Sequence, residues 1–237
     1  MRALKFAVGL ALLPCCWAVT CTFIALIKAV QPSSFAGVPD TVWALAIGFV
    51  LWVLLYLTTP RPVRTYVLGH ELTHALWGVL MGARVSRVKV AKDGGYVELS
   101  KTNFLITLAP YFFPFYTVLV IAGYGLLSLR FDLSTYRLFF LGLIGLTWSF
   151  HLTFTLSTLR EHQEDIREGD RLFSYAVIYY LNLAGLCLWI VIVGTPTFEE
   201  GLVQWDRDMR ATWGGIISVI PGVGGNREIH SAAEPQP

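Results

Sequence analysis

The chain is built from long apolar runs separated by short polar breaks. Runs long enough to cross a bilayer as helices cover residues 6–30, 42–59, 103–128, 138–158 and 172–194. A further segment, 64–82, keeps a helical pattern but is the most polar of the set. From 83 to 101 apolar and polar residues alternate around Asp93-Gly94-Gly95, which predicts a β-hairpin. Beyond Gly194, Leu202, Trp205, Met209, Trp213, Ile216 and Ile217 recur at roughly helical spacing between Asp206, Arg207, Asp208 and Arg210. This predicts an amphipathic helix at 195–220, lying in the membrane interface or binding a soluble partner. Glycines, prolines and polar residues then predict a disordered tail at 221–237. The expected fold is an all-α polytopic membrane protein of about five or six apolar helices with a short β-hairpin after the polar one, residues 1–194 forming a single integral-membrane domain.

Composition supports the membrane assignment. Of 237 residues, 55% are hydrophobic and 14% charged, and the mean hydropathy is +0.58. A soluble globule of this size cannot hide so much apolar surface. The expected location is a multi-pass integral protein of the cell (inner) membrane, with the lipid bilayer as its surroundings. A net charge of +2, with basic residues scattered over short loops, argues against a nucleic-acid partner. Cys15, Cys16, Cys21 and Cys187 all sit in apolar runs without C-x-x-C spacing, so they read as small packing residues. Arg2 and Lys5 before an apolar run suggest a signal peptide, but the run reaches Val30 and is read as an uncleaved first helix.

The placement of Lys and Arg bears on topology. With the N-terminus cytoplasmic and segment 64–82 crossing fully, the 18 basic residues split nine and nine. If that segment is re-entrant, the split becomes twelve cytoplasmic against six. The second arrangement follows the positive-inside rule and puts the acidic stretch 161–170 on the same side as segment 64–82.

Candidate chemistry lies within that segment, at His70-Glu71-Leu72-Thr73-His74. A helix turns once in about 3.6 residues, so the two imidazoles stack on one face with Glu71 beside them. Such an H-E-x-x-H pentad suits a zinc-activated water with an adjacent general base. A structural Glu–His hydrogen bond between packed helices would leave the same pattern. Gly69 and Gly78 flank the pentad and would admit a close neighbour.

With the pentad in a membrane helix, a hairpin after it and an acidic loop downstream, the chain resembles the site-2 protease family of intramembrane zinc metallopeptidases. The closest stretch runs from Gly69 through Leu76 and on to Gly82-Ala83-Arg84-Val85. The resemblance implies that residues 1–194 are metallopeptidase-like, that His70 and His74 bind Zn2+, and that Glu71 is the catalytic base. It also implies an aspartate ligand from a later helix. The family's L-D-G-G segment is absent, which leaves Asp165 and Asp170 as candidates. Asp165 is preferred, because Asp170 directly precedes an apolar run and reads as a helix cap.

Two other features stand near this chemistry. His151 lies about 10 Å into its run, counting about 1.5 Å per residue, and could be a ligand, a transition-state donor or a buried packing residue. Pro110 and Pro114 interrupt the run 103–128, as a simple kink or as an unwound segment that offers backbone groups to a substrate. The function expected is zinc-dependent endoproteolysis of membrane-embedded protein segments, with a membrane-protein substrate. The alternatives are a non-proteolytic metal-binding scaffold or transporter, and a prenyl-protein type membrane protease with Glu161 or Glu164 as ligand.

Overall fold

The computed structural model describes residues 2–30, 38–91, 94–160 and 170–219. Asp165, Glu161 and Glu164 lie outside the described residues, as does the tail 221–237. Four helices are long and apolar enough to cross a membrane: α1 (Arg2–Val30), α2 (Asp40–Thr58), α6 (Arg137–Leu159) and α7 (Arg171–Val193). A fifth span is broken, with α4 (Phe104–Phe112) and α5 (Phe115–Ser128) meeting at 76°. The expected five or six apolar helices are thus four continuous ones and a bent pair. The pentad helix α3 (Val63–Leu80) is not among the spans. Large apolar side chains such as Ile47, Leu126 and Phe139 point outward, as befits a bundle surrounded by lipid.

Two helix pairs organise the bundle. In the first, α2 and α6 run parallel, with Gly48 on the Gly142 backbone and Trp52 donating to Thr153 Oγ1 at 2.8 Å. A Cβ at Gly48 or at Gly145 would collide with backbone of the facing helix, so the small residues set this approach. In the second, α1 and α7 are also parallel. Gly9 lies on Phe173, Thr20 bonds Tyr179 at 2.8 Å and Val30 reaches Gly194. Parallel α1 and α7 place the chain entering α7 at the end of the bundle where α1 begins.

The β-hairpin forms from β1 (Val85–Ala91) and β2 (Gly94–Leu99), antiparallel, with Val88 opposite Val97 and Val90 opposite Gly95. It folds back along α3, and Leu99 occupies the space that a side chain at Gly78 would need. The last helix, α8 (Phe198–Val219), turns back antiparallel to α1, and Thr22 donates to Asp208 Oδ2 at 2.8 Å.

The prolines explain the break in the fifth span. Pro114 has no N–H to offer the carbonyl of Pro110, and Phe113 leaves helical geometry at φ −97° and ψ 107°. Asn182 of α7 donates instead to the released Tyr111 carbonyl, at 2.8 Å.

Candidate functional site

Helix α3 stays in one half of the bundle. Its first turn packs by α6's last turns: Tyr66 stacks on Phe154 at 4.6 Å, and its hydroxyl accepts from Thr158 at 2.9 Å. Its far end reaches the start of α4, where Asn103 Nδ2 lies 3.0 Å from Met81 Sδ. Phe104 in turn packs on Phe173 in α7's first turn. Both ends of α3 therefore lie near the end of the bundle that carries the α6–α7 connection.

The helical spacing of the pentad brings the His70 and His74 rings together, edge to face with centroids 4.9 Å apart. His74 Nδ1 lies 2.9 Å from the Ile106 carbonyl oxygen. A carbonyl can only accept, so Nδ1 carries the proton and Nε2 the lone pair of the neutral ring. Orientation of this kind, through the second ring nitrogen, is typical of metal-ligating histidines. His70 is held by Tyr66, whose hydroxyl lies 3.3 Å from Nδ1, and it meets Tyr111 edge to face.

Glu71 is buried at 6% exposure. Gly95, across the hairpin turn, lies against it: a Cβ there would come within 2.9 Å of Glu71 Oε1 and 2.7 Å of its Cγ. Only a glycine lets the hairpin backbone approach the carboxylate so closely. Gly69 plays a similar part on another side of α3, where the Tyr116 ring takes the space of a side chain. The room at Gly69 and Gly78 is thus filled by side chains rather than by a helix backbone.

Next to His70 is a cavity of about 20 Å³, bordered also by Pro110, Phe113, Phe150 and His151. That is room for about one water molecule. His151 is buried, hydrogen-bonds through Nε2 to Asn182 Oδ1 at 3.3 Å, and lines this cavity together with His70.

Protein-family models, curated proteins and solved structures give no match to this chain. The assignment therefore rests on the site itself.

Two of the proposed ligands and the proposed base are brought together, on one helix. Among the described residues no three His, Cys, Asp or Glu side chains converge as a metal-binding group. Asp165, the preferred third ligand, lies outside them. Asp170 caps α7, its side chain accepting from Leu172 N at 3.1 Å with φ at +74°. The donor chemistry present fits zinc in type, two imidazoles and an adjacent carboxylate. Tyr66, Tyr111 and Asn182 escaped the sequence reading, although an amide in the run 172–194 was a visible signal.

Proposed function

We propose that the chain is a zinc-dependent intramembrane endopeptidase that hydrolyses peptide bonds in membrane-embedded protein segments. The observation that carries this reading is the pairing of a carbonyl-oriented His74 with His70 and a buried Glu71 on one helix, within a bundle of membrane-length helices. His70 and His74 would hold the ion through Nε2, with Asp165 as the proposed third ligand. Zinc, when bound, lowers the pKa of its water to about 7.

Glu71 accepts the water proton as hydroxide adds to the scissile carbonyl carbon, then delivers it to the leaving amide nitrogen as the C–N bond breaks. Its burial keeps bulk water away from this transfer. The hairpin beside Glu71 gives an unwound substrate segment a strand edge to pair with, since a helix must open before its backbone can be cut. The broken α4–α5 span borders the cavity beside His70 through Pro110 and Phe113, and so adds backbone groups near that histidine.

A metal-binding scaffold or transporter is the second reading, because the chain carries the pentad without an L-D-G-G segment. Purified protein reconstituted with transmembrane reporters separates the two. Wild type should carry zinc and cleave; Glu71→Gln should keep zinc and lose roughly 10²–10⁴-fold in rate. Unchanged cleavage in that variant overturns the proposal, and zinc without cleavage favours the scaffold.

A further inference from the structure

The two faces of the hairpin differ in chemistry. Successive strand residues point to opposite sides, and Gly95, Val97 and Leu99 share the face that lies on α3, Gly95 against Glu71 and Leu99 against Gly78. The register then sets Arg87 opposite Glu98 and Lys89 opposite Tyr96 on the face turned away. Arg87, Lys89 and Tyr96 are all exposed, with the Lys89 ammonium over the tyrosine ring, 5.9 Å from its centroid. Two more exposed bases, Arg84 and Lys101, stand at the foot of the hairpin, where Ser100 N donates to the Arg84 carbonyl at 3.0 Å. Among the described residues from 84 to 101 outside α3, Glu98 is the one acid set against these four bases.

The foot of the hairpin marks the level at which the spans begin. Lys101 shortly precedes α4, whose first residue, Phe104, packs on Phe173 in the first turn of the spanning helix α7. Just before Arg84, Val79 and Leu80 end α3 with 58% and 69% of their surfaces exposed. Apolar surface beneath a basic rim, at the depth where helices enter the bilayer, is the order of tail and headgroup in a phospholipid. Lysine and arginine reach toward the phosphate level on apolar stems, and tyrosine is at home there. Basic residues so placed attract anionic headgroups. An acidic soluble protein would match the charge but leave the apolar rim uncovered.

We propose that the outer face of the hairpin is a docking surface for an anionic phospholipid of the bilayer. Arg87 and Lys89 hold the headgroup phosphate, Arg84 and Lys101 extend the positive field, and the acyl chains descend past Val79 and Leu80. The face used points away from Glu71, so the proposal is independent of the chemistry there.

The test is lipid retention by the purified full chain, read by native mass spectrometry from detergent holding equal amounts of phosphatidylglycerol and phosphatidylcholine. Wild type should favour phosphatidylglycerol by about tenfold or more. Arg87→Gln combined with Lys89→Gln should weaken its retention roughly 25-fold, about fivefold for each base, while Lys89→Arg should keep it. Arg130→Gln combined with Arg137→Gln removes two exposed bases at the opposite end of the bundle and should change nothing. Equal retention of the two lipids, a hairpin variant that binds as wild type does, or the same loss in the Arg130 and Arg137 variant would each overturn the proposal. Displacement of the lipid by glycerol phosphate at equal concentration would also overturn it, since that would mark a site for free phosphate.

Discussion

Ile106 links the cap of α4 to His74: its N–H donates to Asn103 Oδ1 at 3.0 Å, while its carbonyl accepts from His74 Nδ1 at 2.9 Å. The helix cap and the imidazole thus share one peptide neighbourhood. Asn103→Ala should cost α4 about 0.5–2 kcal/mol and loosen the hold on His74. Zinc affinity, measured by chelator competition, is expected to fall about 10–100-fold, the usual effect of disturbing a ligand's orienting partner. An unaltered affinity would separate the cap from the metal site.

Gly95 makes a different test, because it lies directly against the proposed base. Gly95→Val should push the hairpin away from Glu71. Cleavage should drop about 10²-fold while zinc content stays at the wild-type level. Loss of zinc in this variant would show that the hairpin supports the ligands instead.

The two aspartates should part company. Asp170→Ala removes the α7 cap and should lower stability by about 0.5–2 kcal/mol with zinc retained. Asp165→Ala should leave thermal stability of the metal-free protein unchanged and abolish zinc retention. The reverse result would transfer the ligand assignment to Asp170.

At Gly145, any side chain meets the Leu45 carbonyl of α2. Gly145→Val should cost about 1–3 kcal/mol through overpacking, read as a lower midpoint of thermal unfolding in detergent. A comparable change at Gly123, which has open space around it, should leave that midpoint almost unmoved.

One expectation concerns pH. Glu200 Oε2 accepts from Thr197 N at 2.7 Å and from its hydroxyl at 3.0 Å, and the backbone bond chiefly holds this exposed carboxyl below its ordinary 4.5. Its folded value is depressed, so its support for the first turn of α8 is present above the unfolded pKa and lost as pH falls through the folded one. An NMR titration of Glu200 should show a midpoint below 4.5, with the Thr197 amide signal moving in step. Thr197→Ala removes only the hydroxyl bond and keeps the backbone one, so it should return the midpoint only part of the way to the ordinary value.

Local pattern made much of this fold legible. The runs 6–30, 42–59, 138–158 and 172–194 became α1, α2, α6 and α7, and the alternation at 83–101 became the hairpin, because burial against lipid and strand pairing both leave periodic traces. The double proline announced the break in 103–128. The pentad placed His70, Glu71 and His74 on one helix before any tertiary contact was known. What periodicity does not encode is which elements meet. Gly95 over Glu71, Ile106 behind His74 and Asn182 at the Tyr111 carbonyl are contacts between elements distant along the chain. Likewise, the apolar stripe of α8 would look the same on a lipid surface or against α1 and α7.

The parallel pairing of α1 with α7 bears on how the protein is made. About 160 residues separate Cys16 from Ala176, whose carbonyl its thiol reaches at 3.5 Å. During synthesis the first helix enters the bilayer long before its mate leaves the ribosome. Until then Ala18 and Val19, buried in the finished bundle, have only lipid or borrowed chaperones for company. Closure of this pair is therefore a late event of biogenesis, since α1 has to wait for residues 171–193 to be made.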